Sequence, residues 1–313
     1  MTRPITICIV GLGLMGGSLA LALRQAGPIQ SDRLCIQRPE AGVTGSDTGE
    51  EPDRRALSYR IIGVSRSAPP LEAALAAGAI DEGTPNLVEA VARADIVVLA
   101  TPVRTILRML PAVGTHARPG TLVLDLGSSK AVICAAMAEL PAGIHPVGGH
   151  PMCGKETSGF GAAEAGLFRG RPFVLCPLPR TPAPALERIA LLAEAVGATP
   201  VVLDPAEHDL AVAAISHLPY TLAVTLVNTV FGTRDGVARS LASSGFRDTS
   251  RLASSDVDMM LDIVMTNRNA ILTWIDAFSG SLARFRTSLA GGDEAEIRLA
   301  SATAKQGRST LRL

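Results

Sequence analysis

The sequence has no excess of either charge: 29 basic residues stand against 29 acidic ones in 313. That balance removes the electrostatic case for binding nucleic acid or an anionic membrane, so any bound anion must be held by a local site. The five cysteines (Cys8, Cys35, Cys134, Cys153, Cys176) are odd in number and contain no CxxC spacing. This pattern suits a reducing cytoplasm, with Cys8 acting as a small hydrophobe inside an apolar run. No apolar run of about 18 residues, the length that spans a bilayer, goes uninterrupted. The longest candidate, DLAVAAISHLPYTLAVTLVNTVFG, carries Asp209, His217, Pro219 and Asn228. The N-terminus, MTRPITICIVGLG, runs straight into a glycine-punctuated motif, so no cleavable signal is expected there. No internal repeat is found. These absences together lead us to expect a soluble cytoplasmic protein.

What is present is globular: 47% hydrophobic residues and 19% charged ones, over a length that suits two domains. Seven apolar runs have strand length: 5–10, 60–65, 95–101, 121–127, 145–149, 172–177 and 199–204. Alanine- and leucine-rich helical stretches lie between them, at 17–26, 71–78, 86–94, 103–112, 129–140 and 184–196. Alternation of this kind predicts an α/β domain with a doubly wound, mostly parallel sheet. After Asp204 the periodicity is helical throughout. DPAE at 204–207 reads as a helix start, with Asp204 as cap, Pro205 at the first helical position and Glu207 closing a capping box. The division predicted is therefore 1–204 and 205–313. Residues 28–58, rich in Pro, Gly, Ser, Asp and Arg, read as a surface insertion.

GLGLMGGSLALAL sets Gly11, Gly13 and Gly16 in G-x-G-x-x-G order after a strand and into a helix, with Leu14 and Met15 between. The first glycine allows the tight turn, the second lets a pyrophosphate approach the backbone, and the third allows close helix–strand packing. The free N–H groups at the helix start then face the phosphates, which makes dinucleotide binding the reading here. Such folds usually end the second strand in a carboxylate that holds the ribose 2′-hydroxyl. None stands there: the strand runs into Ser65, Arg66 and Ser67. A hydroxyl beside a guanidinium suits a 2′-phosphate, so NADP is expected over NAD, with a solvated Arg66 as the alternative.

In a doubly wound sheet the ligand lies over the carboxyl ends of the strands. Three such ends carry polar or unusual residues: Thr101-Pro102, DLGSSK at 125–130, and VGGHP at 147–151. Ser128 and His150 can both face a nicotinamide from there; Ser128 also reads as a cap for the helix that follows. The glycine pair and Pro151 suggest that His150 is presented at a bend. A metal reading of His145, His150 and Cys153 finds no preset convergence, so no metal is expected. In AAISHLPYTL, Pro219 removes the N–H that the Ile215 carbonyl would need, opening a helix beside His217. Arg247, Asp248 and Arg251 fall within one turn, and read equally as a salt-bridged helix face.

GLGLMGGSLA, DLGSSK, GGHPMCGKETSG with LFRGRPFVL, EHDLAVAAISHLPY and SSGFRDTSRLA occur in one order along the chain. Together they resemble the prephenate/arogenate dehydrogenase family of tyrosine biosynthesis, most closely the NADP-dependent arogenate dehydrogenases of the cyanobacterial type. The resemblance implies a Rossmann domain followed by a helical domain that forms a homodimer, and a small-molecule substrate, prephenate or arogenate. Both would be oxidised with loss of CO₂, to 4-hydroxyphenylpyruvate or to tyrosine. It implies that His150 accepts the proton of the ring 4-hydroxyl with Ser128 as hydrogen-bonding neighbour, and that Arg251 pairs with the ring carboxylate. His217 and Arg247 would line the side-chain end of the substrate, and Glu156 and Asp248 would join an ionic network that closes the pocket. Residues 28–58 and Met260, which stands where some relatives carry tryptophan, depart from the family pattern. At 313 residues, neither the regulatory nor the mutase domain that some relatives carry is expected.

Two other readings compete. A β-hydroxyacid dehydrogenase shares the GLGxMG loop but needs a lysine base on the first long helix of its helical domain, and residues 205–230 contain no lysine. A non-catalytic NADP-binding sensor predicts loss of the base or of the carboxylate-binding arginine, whereas His150 and Arg251 are both present.

Overall fold

The computed structural model describes residues 4–27, 58–155, 157–232 and 236–311. Most of the predicted insertion at 28–58 lies outside them. Among the described residues eight strands form a single sheet: β1 (Ile5–Val10), β2 (Tyr59–Val64), β3 (Glu82–Thr84), β4 (Ile96–Leu99), β5 (Leu122–Asp125), β6 (His145–Pro151), β7 (Pro172–Pro177) and β8 (Thr199–Val202). Their order is β3-β2-β1-β4-β5-β6-β7-β8. All neighbours pair in parallel except β6 with β7.

Six helices flank this sheet: α1 (Leu14–Ala26), α2 (Ala68–Ala76), α3 (Leu87–Arg93), α4 (Val103–His116), α5 (Ala131–Ala138) and α6 (Ala183–Ala195). The central strands are apolar at nearly every position because both faces are covered. Alternate residues feed two separate cores. Ile7, Ile9 and Val98 pack in one with Leu19 and Leu23 of α1 and Ile189 of α6. Cys8, Val10 and Val97 pack in the other with Val91 of α3, Ile106 of α4 and Ile133 of α5. Cys8 is fully buried, as expected of a small hydrophobe, and burial pushes its thiol up to about 12.

Strand β3, of sequence Glu-Gly-Thr, carries no apolar signal and is not foreseen by periodicity. It is held instead by parallel pairing to β2 and by Glu82, which accepts from Arg93 and Arg60 at 2.6 Å each.

Helices follow from Pro205 onward: α7 (Pro205–Val212), α8 (Leu218–Phe231), α9 (Gly236–Leu241), α10 (Ser244–Ser250), α11 (Val257–Thr266), α12 (Arg268–Ala290) and α13 (Glu294–Ser309). Asp204 caps α7, its side chain accepting from the backbone N–H groups of Ala206 and Glu207. Between α7 and α8, Ala213–His217 winds as a π-helix, and the Leu218 N–H reaches five residues back to the Ala213 carbonyl. Pro219, with no N–H of its own, accounts for that widened turn. The whole run Pro205–Phe231 is long and apolar enough to cross a membrane by length and composition alone. Its first half, however, turns buried His208, Asp209 and His217 inward.

Candidate active site

The strand order reverses direction between β1 and β4, which opens a crevice at their carboxyl ends. Gly11 sits there at φ +98°, and a Cβ added to it would lie 2.8 Å from both the Ala100 carbonyl oxygen and Thr101 Cγ2. A Cβ on Gly16 would lie 2.0 Å from the Gly11 carbonyl oxygen, so only glycine lets α1 come this close to β1. At Gly13, the N-cap of α1, a Cβ would meet nothing within 4 Å, and no side chain caps the helix. The first turn, opened by half-buried Leu14 and Met15, therefore presents bare N–H groups to open space, as a pyrophosphate requires. Thr101 Oγ1 at the end of β4 is buried without a hydrogen-bond partner, and Pro102 caps α4 beside it. This cradle fits a nicotinamide dinucleotide. Ser65 is half-buried past the end of β2, while Arg66 and Ser67 are exposed, and no acidic residue interrupts the Ser65-Arg66-Ser67 run.

His150 lies three strands away, near the carboxyl end of β6. Strands are spaced about 4.8 Å apart, so roughly 14 Å separates it from the crevice, within reach of a dinucleotide's nicotinamide half. The bend expected at His150 is not there. Strand β6 continues through Pro151, with His150 in register opposite Val174. The glycine pair serves packing: a Cβ on Gly148 would lie 2.6 Å from Cys134 Sγ, and one on Gly149 would lie 2.6 Å from the Asp125 carbonyl oxygen.

Lys130 and Asp125, both fully buried, form an ion pair under this strand. The Lys130 ammonium also donates to the Gly149 carbonyl at 2.7 Å, and Asp125 accepts from the Gly149 N–H at 3.1 Å. Burial raises the Asp125 carboxyl, and the Lys130 charge beside it opposes that rise. The backbone on the N-terminal side of His150 is thus clamped from below by charged hydrogen bonds.

The imidazole itself is gripped from the helical side. His150 Nδ1 lies 2.8 Å from His208 Nε2, and His208 Nδ1 lies 2.8 Å from Asp209 Oδ1. Asp209 accepts in addition from the N–H groups of Lys130 at 2.6 Å and Ala131 at 2.9 Å. Burial, then the Lys130 ammonium and the repulsion a protonated His208 or His217 would exert, hold His150 well below the usual imidazole range, so it is neutral at pH 7. His217, 1% exposed in the π turn, is lowered to about 4, chiefly by burial. Asn267 Nδ2 lies 3.1 Å from His217 Nδ1 and donates to the Asp209 carbonyl at 2.7 Å.

Ser128 is half-buried in the turn after β5, and its reading as a helix cap is overturned. Helix α5 starts at Ala131 with Lys130 as N-cap, and its first N–H groups go to Asp209 instead. The neighbouring Ser129 is the serine that bonds across to the helices, through Thr266 at 2.9 Å. Arg247 and Asp248 pair with each other at 3.1 Å on α10, both largely exposed. Arg251 opens the 3-10 turn Arg251–Ser254, which packs on α8 just past His217. Glu156 lies outside the described residues. Met260 is buried on α11. Among the described residues no cluster of His, Cys, Asp and Glu could hold a metal. His208 and Asp209 were not singled out by the sequence, although EHD at a helix start places the pair side by side.

A glycine-cradled crevice and a half-buried neutral histidine at the strand ends, with a helical domain behind them, define a nicotinamide-dependent dehydrogenase. The sequence profile of the prephenate dehydrogenase nucleotide-binding domain matches residues 53–202, and that of the prephenate dehydrogenase dimerization domain matches 204–301. Prephenate dehydrogenase of Bacillus subtilis is 32% identical over 312 residues, covering 98% of this chain and 76% of that protein. The structure of prephenate dehydrogenase from A. aeolicus, in complex with hydroxyphenyl propionate and NAD+, superposes with a TM-score of 0.84 at 26% identity, covering 98% of each chain. Synechocystis arogenate dehydrogenase gives 0.77 at 30% identity, covering 98% of this chain and all of that one. The chain belongs to the prephenate/arogenate dehydrogenase family, and its activity is that of an NAD(P)-dependent prephenate/arogenate dehydrogenase.

Proposed function

We propose that this chain carries out the family reaction with NADP, using His150 as the base for the ring 4-hydroxyl. The carrying observation is a half-buried imidazole, neutral at pH 7, beyond the cofactor crevice at the carboxyl ends of the strands. A neutral ring can take a proton; a base that is already an imidazolium cannot. The bound nicotinamide supplies the oxidant. His150 takes the hydroxyl proton as the 4-carbon is oxidised, and loss of CO₂ then leaves an aromatic product, so the step runs one way without a metal. Ser128, half-buried between the crevice and His150, is read as the neighbouring hydrogen-bonding group. Arg251 is read as the partner of the ring carboxylate, which prephenate and arogenate share, with His217 and Arg247 at the side-chain end and Glu156 and Asp248 in an ionic network that closes the pocket.

For the cofactor, Arg66 and its flanking hydroxyls offer a cation and donors to a 2′-phosphate. Leu282, Phe285 and Leu289 of α12 form an exposed apolar stripe at helical spacing, which supports a homodimer through the helical domain. The four free cysteines among the described residues support a cytoplasmic setting.

Reduced-cofactor absorbance with each substrate, paired with NADP and then NAD, tests the reading. NADP should give the higher kcat/KM, and Arg66→Ala should erode that preference chiefly through KM for NADP. A wild-type preference for NAD would refute the cofactor assignment.

A further inference from the structure

We propose that His208 and Asp209 are positioning residues that fix His150 as its Nδ1–H tautomer, leaving Nε2 as the acceptor. The inference rests on the reading of His150 as the base and extends it to a chain of three side chains from two domains.

The argument begins at Asp209, 5% exposed at the start of the helical domain. Its Oδ1 accepts from the Lys130 N–H at 2.6 Å and faces His208 Nδ1 at 2.8 Å. Its Oδ2 accepts from the Ala131 N–H at 2.9 Å. A proton on either oxygen would be driven against one of these donors, so the group presents itself as a carboxylate. The His208 contact then has a single sense: Nδ1–H donates to Asp209. With one proton on each imidazole, His208 Nε2 is a lone pair, and the 2.8 Å contact to His150 is donated by His150 Nδ1–H. His150 Nε2 is left without a proton. The opposite tautomer would set two lone pairs against each other at that distance.

The ring planes support a directed contact over stacking, since the two imidazoles meet edge-on, 71° apart, with centroids 5.0 Å apart. When the 4-hydroxyl O–H bond breaks and an N–H bond forms at Nε2, the new charge is met by the His208 lone pair, with the Asp209 carboxylate behind it. The geometry also explains two buried residues that substrate contact does not require: His208 is 1% exposed and Asp209 5%.

The wild-type enzyme, labelled with 15N-histidine, tests the tautomer directly. His150 signals, assigned by their disappearance in His150→Asn, should show a protonated Nδ1 and a bare Nε2 at pH 7.5. A proton on Nε2 overturns the proposal, and the tautomer is read in the wild-type protein, the His150→Asn variant serving only for assignment. Kinetics supply the second arm. His208→Leu fills the site without an acceptor and should lower kcat by about 10²-fold, with KM for substrate and Kd for NADP within a few-fold. His208→Gln, which returns an acceptor oxygen to the Nε2 position, should recover most of that loss. If volume alone mattered, leucine would serve as well as glutamine, and that result sinks the relay. Loss of turnover in His150→Asn but not in His208→Leu removes the relay and leaves the base. Ordinary turnover in His150→Asn removes both.

Discussion

Acid should weaken the folded enzyme through His217 before it touches most carboxylates. The imidazole lies 1% exposed in the π turn, and the Asn267 side-chain amide lies 3.1 Å from its Nδ1. That amide nitrogen donates only, so Nδ1 is the acceptor, and protonating it would set two donors face to face. Burial lowers the ring, partly opposed by the Asp209 carboxylate, from 6.5 to about 4. Since the folded value lies below the unfolded one, the stability is fully present above pH 6.5 and is lost as pH falls towards 4. At 1.36 kcal/mol for each pH unit, the difference is worth about 3 kcal/mol. The assay is urea unfolding of wild type and His217→Gln between pH 7.5 and 4, at one protomer concentration so that any dimerisation cancels. Glutamine adds a constant offset but does not titrate. The wild-type advantage should therefore shrink by about 3 kcal/mol across that window. A difference between the two proteins that stays flat with pH would refute the burial of a neutral ring. The same curve bounds the kinetic one, because lost turnover below pH 5 reports unfolding as well as protonation of His150.

Two further outcomes are expected. Arg251→Ala should raise KM for the native substrate at least tens-fold with NADP affinity almost unchanged, and lysine should rescue only partly, because truncating one partner of a charge-assisted bidentate contact costs roughly 2–5 kcal/mol; steady-state kinetics and cofactor titration check it, and equal loss of NADP and substrate binding would make the arginine structural. Asp209→Ala should destabilise the fold by about 2–6 kcal/mol, since it strands two buried donors (the Lys130 N–H and His208 Nδ1) at roughly 1–3 kcal/mol each, besides the part-buried N–H of Ala131; Asp209→Asn should lose less in the same urea titration, and equal stability of all three proteins would refute the cap.

Much of the first domain was legible because a sheet covered on both faces writes itself as apolar runs. Each of the seven runs overlaps an observed strand, and the one strand missed among the described residues, Glu82–Thr84, has no apolar residue with which to announce itself. Asp204 and Pro205 gave the helix start, and Pro219 gave the irregular turn, because capping and the missing N–H act within a few residues. The glycine pair before His150 misled in the other direction. Gly148 and Gly149 looked like freedom to bend, yet they are requirements for contact with Cys134 and Asp125 on neighbouring elements. Ser128 failed as a cap for a similar reason. The group that caps α5 is 78 residues further along the chain, beyond any local signal. His208 and Asp209 stand next to each other in plain view, but a buried His–Asp pair acquires meaning only from His150, 58 residues away.

The contacts between the two halves show why the site needs both. Asp209 holds the start of α5, Asp262 accepts from the Arg104 N–H at 3.1 Å at the start of α4, and Thr266 meets Ser129. Each falls within a few residues of a crevice group: Thr101-Pro102 before α4, Ser128 before α5. Apolar packing would hold the domains together without fixing their angle, since it is non-directional, whereas hydrogen bonds near 2.6–3.1 Å fix direction as well as distance. The helical domain thus grips the Rossmann domain at the turns that carry the chemistry, and places His208 against His150 by the same residue that caps α5. Precision of His150 relative to the cofactor crevice is then a property of the polar seam. Neither domain folded alone would possess it.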